Sequence, residues 1–511
     1  MARRIGWLGV FILLCFVVLF AQLNNVQVAK AKKYATDPNN PRIAAEQYSQ
    51  PRGEIQASDG TVLALSVPAP SGSIYKYQRV YPPATAQLFS QITGFDSIFT
   101  GRTGVEASYN SYLVAHNQPV KTLRDLLTTR TVTDTVNLTL DPKLQAVAAN
   151  ALNPPGAPLR AGAVVAIDPT TGAIKAMYSY PTYDPNPIAS LNPKTFNLGW
   201  YAYNSQVQNI INPVGGLTYG LSLAYGDAGF APGSTFKTIT TSAAYDRAPL
   251  LVVKQYPTEQ CIKPGTLGGQ TTQQLCNFDK TEACGGDIAA MLPPSCDTGF
   301  ALLGTDVGGQ NMYDEATGFG FNRQPPLDLP PAPQQVSTFP LYVDHGDQIL
   351  LAYSSIGQEN VSVSPLQMAL VAAGIANHGV IMTPHVMESI HDSQGNLVTS
   401  YQPKPWLVAT SPQTAQALNG LMQLVVSQPG ATASGVGFPP DEHVAAKTGT
   451  AQTLNNTAIN AWMIAFAPAN QPKIAVAVMI PNLRNSQYGG AGADYAGPVM
   501  KQVIAAALSG E

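Results

Sequence analysis

An uncharged, mostly apolar run extends from Ile5 to Leu23, "IGWLGVFILLCFVVLFAQL", long enough as a helix to cross the hydrocarbon core of a bilayer. The segment from Ala29 to about Arg52 is polar and contains "TDPNNPR", the composition of a stalk or linker. Beyond it the hydrophobic period shortens to two. "RGEIQASDGTVLALSV" alternates as strands do, with Asp59-Gly60 as a hairpin-type turn. "TGRTGVEASYNSYL" shifts towards helical spacing, "TVNLTL" reads as a strand, and "DPKLQAVAANAL" reads as a helix opened by Asp141 as cap and Pro142 in its first turn. "PPGAP", Pro154 to Pro158, breaks the chain, and a domain boundary is expected near it.

From Gly162 two apolar runs, "AGAVVAIDP" and "GAIKAMYSY", flank Asp168-Pro169-Thr170-Thr171-Gly172, a hairpin signature. The chain closes with "AINAWMIAFAP" and "KIAVAVMIP", two further strands around "ANQP", then a helix from about Pro498 to Leu508. Strands from both ends of a domain with helices between them predict an α+β layer architecture. Internal repeats and long low-complexity tracts are absent from the sequence.

Charge narrows the possibilities. Only 12% of the 511 residues are charged and the formal net charge is -3, which leaves no basic field for nucleic acid. Arg3 and Arg4 ahead of the apolar run favour a cytoplasmic amino terminus and export of the chain beyond Leu23, although Lys30, Lys32 and Lys33 on the far side weaken that orientation. A cleaved signal peptide is the competing reading. Against it, "FAQLNN" lacks a small-x-small cleavage site and the run exceeds an ordinary signal core; a lipid-modified Cys15 is disfavoured by bulky Leu14 before it.

The other four cysteines, Cys261, Cys276, Cys284 and Cys296, share one short segment without a C-x-x-C pair, so zinc is not indicated. In an exported chain they suggest two disulfides. Three connectivities are open; the sequential one, Cys261 with Cys276 and Cys284 with Cys296, is the expectation, and free buried thiols are the alternative.

Candidate chemistry begins at "FAPGSTFKTITTSAAY", Phe230 to Tyr245. Phe236, Ile239 and Ala243 recur at helical spacing and can face a core, which sets Ser234 and Lys237 one turn apart. A hydroxyl beside an amine, near the unpaired N–H groups of a first turn, is a nucleophile with its own base. Alone the motif is weak, since Ser caps helices and Lys covers surfaces. Two later segments add to it: "PPSCDTGF" with Ser295, Cys296 and Asp297, and "VAAKTGTAQT" with Lys447, Thr448, Gly449 and Thr450 on a strand.

Ser-x-x-Lys, Ser-x-Asn and Lys-Thr-Gly, in that order, mark serine enzymes that react with penicillin. With "RGEI", "DGTVLALS", "GRTGVEASYN", "GAVVAIDPTTGAIKAMYSYPTYDPN", "APGSTFK", "SSIGQENVSVSPLQMALVAAGIANHG" and "AAKTGTAQT" in family order, the chain resembles a class B penicillin-binding protein, a membrane-anchored peptidoglycan D,D-transpeptidase, of the short penicillin-binding protein A type. Ala57 and Ser58 stand where that family has Asp-Arg, and Asp297 where it usually has Asn. The resemblance implies a cytoplasmic tail over 1–4, a transmembrane anchor over 5–23, a small mixed pedestal or dimerisation-like domain over 24–155, and a serine β-lactamase-like transpeptidase domain over 156–511 with an antiparallel sheet flanked by helices.

Roles can be assigned residue by residue. Ser234 is the candidate nucleophile and Lys237 its base, which needs desolvation or a neighbouring cation, such as Lys447, to be neutral. The resemblance gives Ser295 the proton relay to the departing amine, and backbone N–H groups of Ser234 and Thr450 the oxyanion hole. Alternation puts Thr448 and Thr450 on one face, placed for a substrate carboxylate, and Gly449 leaves room beside the strand. The same alternation turns Lys447 the other way, so its reach into the site rests on the resemblance. Asp297 is expected to meet the substrate amide as an acceptor, with a helix cap as its other reading.

Bland readings are preferred elsewhere. His345 beside Asp347 reads as a loop histidine, Trp200, Tyr201 and Tyr203 as packing, and His443 as a surface residue. Neither a cofactor nor a metal is implied. Expected partners are stem peptides ending in D-Ala-D-Ala, β-lactams, the membrane through one helix, and a multi-spanning glycan polymerase, because roughly 140 residues between anchor and Gly162 hold one modest domain. The competing functions are a serine β-lactamase, a D,D-carboxypeptidase, and a sensor or scaffold with little turnover.

Overall fold

The computed structural model describes residues 2–30, 47–117, 131–209, 224, 229–263, 274–278, 282–332, 336–342, 348–452, 458–484 and 492–510. Most of the expected stalk (31–46), with Lys32 and Lys33, lies outside the described residues, as do His345 and Asp347. Helix α1 (Ala2–Asn24) carries the apolar run, and a helical stretch over Gly6–Ala29, mean hydropathy 2.4, is long and apolar enough to cross a membrane. Among the described residues nothing covers it.

The segment after it forms β1 (Ile55–Gln56), β2 (Val62–Pro68), β3 (Tyr77–Val80), β4 (Thr135–Leu138) and α2 (Pro142–Leu152). The β1–β2 turn is the Asp59-Gly60 hairpin: Gly60 has φ 82°, and the Asp59 carboxylate accepts from Thr61 N at 2.9 Å. Asp141 caps α2, accepting from Lys143 N at 2.7 Å and Leu144 N at 3.2 Å. What the periodicity does not reveal is a buried charge cluster. Glu106 has no solvent exposure and accepts from Arg52 Nε and Arg79 Nε at 2.5 Å each, and from Tyr81 OH at 3.2 Å. Burial opposes its ionisation, but the two guanidiniums outweigh that and hold its carboxyl below the usual range.

The second sheet begins with β5 (Gly162–Ile167) and β6 (Ile174–Tyr180), joined by the expected hairpin, where Asp168 Oδ1 accepts from Thr170 N at 2.8 Å and Gly172 has φ 81°. The helices α3 (Lys237–Arg247), α4 (Asp297–Val307) and α5 (Pro365–Ala376) follow. Then come β7 (Met387–His391), β8 (Leu397–Ser400), α6 (Pro412–Ser427), β9 (Ala445–Gln452), β10 (Ala458–Ala467), β11 (Ile474–Arg484) and α7 (Gly492–Ser509).

The five-stranded sheet runs β6-β5-β11-β10-β9, antiparallel throughout, so strands from the beginning and the end of the segment after Gly162 meet at its centre. Every residue of β5 and β10 is buried, so helices cover both faces. This is the α+β architecture expected. The other sheet, β8-β7-β4-β1-β2-β3, draws β7 and β8 from the later part of the chain; β7 pairs antiparallel with β4. Helix α7 is described over Gly492–Ser509, so it includes residues ahead of the expected start, and it carries Pro498 inside it. Proline reads as a helix start, but Pro498 lies inside this helix, and Gly492 N donates to Thr450 Oγ1 at 2.8 Å.

Candidate active site

The Ser-x-x-Lys motif divides at a helix junction. Gly233–Phe236 is a 3₁₀ turn and α3 begins at Lys237. The spacing of Phe236, Ile239 and Ala243 predicts an apolar stripe, but α3 is buried all round from Lys237 to Ala244. Its hydroxyls are absorbed by neighbours: Ser242 donates to Glu315 Oε1 at 2.6 Å and Thr240 to Ser355 O at 2.6 Å. A helix at the centre of a domain needs no polar face if such partners exist.

Gly233, at φ 55°, brings the turn close to β9, since a Cβ there would lie 2.6 Å from Thr450 O. Gly449 makes the reciprocal approach. A Cβ on it would lie 2.7 Å from Pro232 O and 2.9 Å from Thr235 Cγ2. Trp462, paired with Gly449 across the β9–β10 ladder, donates its indole N–H to Ala231 O at 3.0 Å and fixes the loop from below.

Those contacts explain Lys447. Alternation places it on the face it shares with Gly449, and that face is the one packed against the Ser234 turn. Its amine donates to Ser295 Oγ at 2.8 Å and to Thr448 O at 3.0 Å. Lys237 Nζ meets the same motif, donating to Ser295 O at 2.7 Å, Ser295 Oγ at 3.3 Å and Asp297 Oδ1 at 2.6 Å. Both lysines are fully buried. Burial lowers the Lys237 pKa against the pull of Asp297. Burial and then the Lys237 charge drive Lys447 well below the ordinary lysine range.

Ser234 itself is half-buried, and among the described residues its hydroxyl has no hydrogen-bond partner. Ser295 occupies a left-handed turn, φ 63°, held by Ser295 N to Leu292 O at 3.1 Å and Cys296 N to Met291 O at 2.9 Å. Cys296, not Asp297, is the cap residue of α4; Asp297 opens the helix and gives its carboxylate to Lys237. The cysteines are joined Cys261–Cys276 and Cys284–Cys296, the second bridge tying the residue between Ser295 and Asp297 to a neighbouring strand.

On the opposite face of β9, Thr448 Oγ1 donates to Thr432 Oγ1 at 2.6 Å and Thr450 Oγ1 accepts from Gly492 N. Thr432 and Gly492 carry no motif that could have singled them out. His443 is exposed; Trp200 and Tyr203 stack at 5.4 Å, and Tyr203 packs on Tyr183 at 4.9 Å; but Tyr201 is solvent-exposed and packs on nothing central, because it points off the helix face its neighbours bury. Groups of three or more His, Cys, Asp or Glu able to hold a metal are absent among the described residues.

Residues 162–505 match the penicillin binding protein transpeptidase domain. The chain belongs to the penicillin-binding protein transpeptidase family. Residues 52–135 match the penicillin binding protein A dimerisation domain. Peptidoglycan D,D-transpeptidase PbpA of Mycolicibacterium smegmatis is 35% identical over 99% of this chain and 98% of its own length. The protein of the same name from Mycobacterium tuberculosis H37Rv is 35% identical over 100% of this chain and 99% of its own. Among solved structures, a ceftriaxone acyl-enzyme complex of penicillin-binding protein A from M. tuberculosis has a TM-score of 0.77 at 31% identity, covering 91% of this chain and 100% of that one. Its penicillin G acyl-enzyme complex has a TM-score of 0.75 at 33% identity, covering 90% and 100%. The three motifs of this penicillin-binding transpeptidase thus meet around two lysines, a serine hydroxyl and a carboxylate.

Proposed function

We propose that this chain is a peptidoglycan D,D-transpeptidase that works through an ester on Ser234. The hydroxyl attacks the carbonyl ahead of a terminal D-Ala, its proton passes to Lys237, and the departing D-Ala amine takes a proton by way of Ser295. An amine of a neighbouring stem peptide then displaces Ser234 and completes the cross-link. Backbone N–H groups of Ser234 and Thr450 hold the oxyanion, Thr448 and Thr450 bind the substrate carboxylate along the free edge of β9, the last strand of its sheet, and Asp297 accepts from the substrate amide. β-Lactams acylate the same serine.

The observation that carries this reading is the convergence of two buried amines on Ser295 Oγ, 2.8 Å from Lys447 and 3.3 Å from Lys237, beside the Ser234 turn. Two amines packed together in a dry site disfavour double protonation, so one of the pair is neutral and the pair can deliver the neutral base an unactivated serine needs. The detergent-solubilised protein is expected to form a stable covalent adduct with a fluorescent penicillin, lost in Ser234→Ala. Labelling that survives the substitution would sink the assignment. An added amine acceptor, offered with a D-Ala-D-Ala peptide, separates transpeptidation from hydrolysis by the product formed.

The anchor and partners extend the reading. The Gly6–Ala29 helix supports a single membrane pass with Arg3 and Arg4 inside and the catalytic domain, 156–511, outside. The 24–155 segment serves as a pedestal, and the pairing of β7 with β4 supports a fixed seat for the catalytic domain on it. Glycan polymerisation then falls to a multi-spanning partner; purification from membranes without such a polymerase would count against this.

A further inference from the structure

The Lys237 amine is bound on the wrong side for its task. It lies 2.6 Å from Asp297 Oδ1, 2.7 Å from the Ser295 carbonyl and 3.3 Å from Ser295 Oγ, while Ser234 Oγ is not among its partners in the described residues. A base must be neutral to take the Ser234 proton, whereas a carboxylate at ion-pair distance favours the ammonium. The charged groups facing Lys237 are few. Asp297 comes from α4 and Lys447 from β9, with the Phe300 ring 5.6 Å from Nζ. On its own helix, Asp246 and Arg247 sit at the far end, engaged with Thr410 and Glu315.

We propose that Asp297 is a positioning residue that holds the Lys237 amine charged and turned from Ser234 in the free enzyme, so that Lys237 must shed a proton before Ser234 is activated. This rests on the reading of Ser234 as nucleophile. Ser295 gives the proton an exit: its hydroxyl accepts from Lys237 Nζ and passes its own proton to a neutral Lys447 amine, leaving Lys237 neutral and Lys447 charged. Ser234 then forms its bond to the carbonyl carbon as its proton moves to Lys237. The usual Asn would offer Lys237 the same oxygen without the charge, so this chain carries a brake that a carboxamide lacks. The two lysines titrate as a pair, and the pH midpoint of acylation belongs to both.

The test is the second-order rate of penicillin acylation of the full chain in detergent, followed from about pH 5 to 10, for the unmodified protein, Asp297→Asn and Asp297→Ser. Removing the carboxylate is expected to move the rising limb towards acid by about one unit or more, so that below the midpoint both variants acylate about tenfold faster. A midpoint that stays or moves towards alkali in either variant overturns the inference, as does a uniform loss of rate at every pH, which is the signature of a substrate contact or a structural role with no control of the Lys237 charge. Unmodified protein that is never acylated would overturn the functional reading and this inference with it. Normal acylation with an unmoved midpoint would overturn this inference alone.

Discussion

Lys447 Nζ stands 2.8 Å from Ser295 Oγ, although 152 residues separate them in the chain and strand alternation turns Lys447 away from both threonines of its own motif. The two facts are one. The face of β9 that carries Lys447 is the face against which Gly449 admits the Ser234 turn, so the long side chain runs between strand and helix to the serine. Ser295→Ala is therefore expected to slow penicillin acylation by about a hundredfold, with little change in melting temperature because this side chain is half-buried and fills no core. Rapid-mixing acylation rates beside a thermal melt measure both.

Gly449→Ala tests the close approach. The new methyl would face Pro232 O at 2.7 Å and Trp462 Cβ at 3.0 Å, and neither a backbone carbonyl nor a buried indole can step aside. A loss of about 1–3 kcal/mol in stability is expected, together with loss of acylation, since the strand must move off the Ser234 turn. Retained acylation at the normal rate would show that the turn does not depend on this contact.

The Cys284–Cys296 bridge fixes the residue between Ser295 and Asp297. Cys284→Ser should slow acylation and cost about 3 kcal/mol, whereas the double change Cys261→Ser and Cys276→Ser opens a hairpin outside the motif and should affect the rate less. Acylation and chemical denaturation of both variants give the comparison; equal rate losses would remove the special role of Cys296.

Glu106 makes a prediction for pH. Its folded-state carboxyl is held below the usual range by Arg79 and Arg52 despite burial. The stability it contributes is present in full above the unfolded value of about 4.3 and fades as pH falls from there through the lower folded value. Glu106→Gln strands two buried guanidiniums and should cost about 3–5 kcal/mol at neutral pH. Its melting temperature should also fall less than that of the unmodified protein when the buffer is taken below about pH 4.3, the ordinary glutamate value.

Local chemistry alone determined much of this protein. The apolar run over Gly6–Ala29, the Asp59-Gly60 and Asp168–Gly172 turns, the Asp141 cap and the closing strand pair are each written within a few neighbouring residues, because turn φ angles, caps and periodicity depend on nothing farther away. The one-turn spacing of Ser234 and Lys237 is of the same kind. Only the tertiary structure decided where the amines point. Asp297 lies 60 residues from Lys237, Thr448 meets Thr432, Arg52 meets Glu106 54 residues on, and Thr450 accepts from Gly492. The partners around the active site are chosen by which surfaces the buried sheet and the buried helix α3 press together, and that of Arg52 by the packing of the N-terminal segment. A charge or hydroxyl sealed in such a core must take whatever partner the packing delivers, and no spacing along the chain records which one that is.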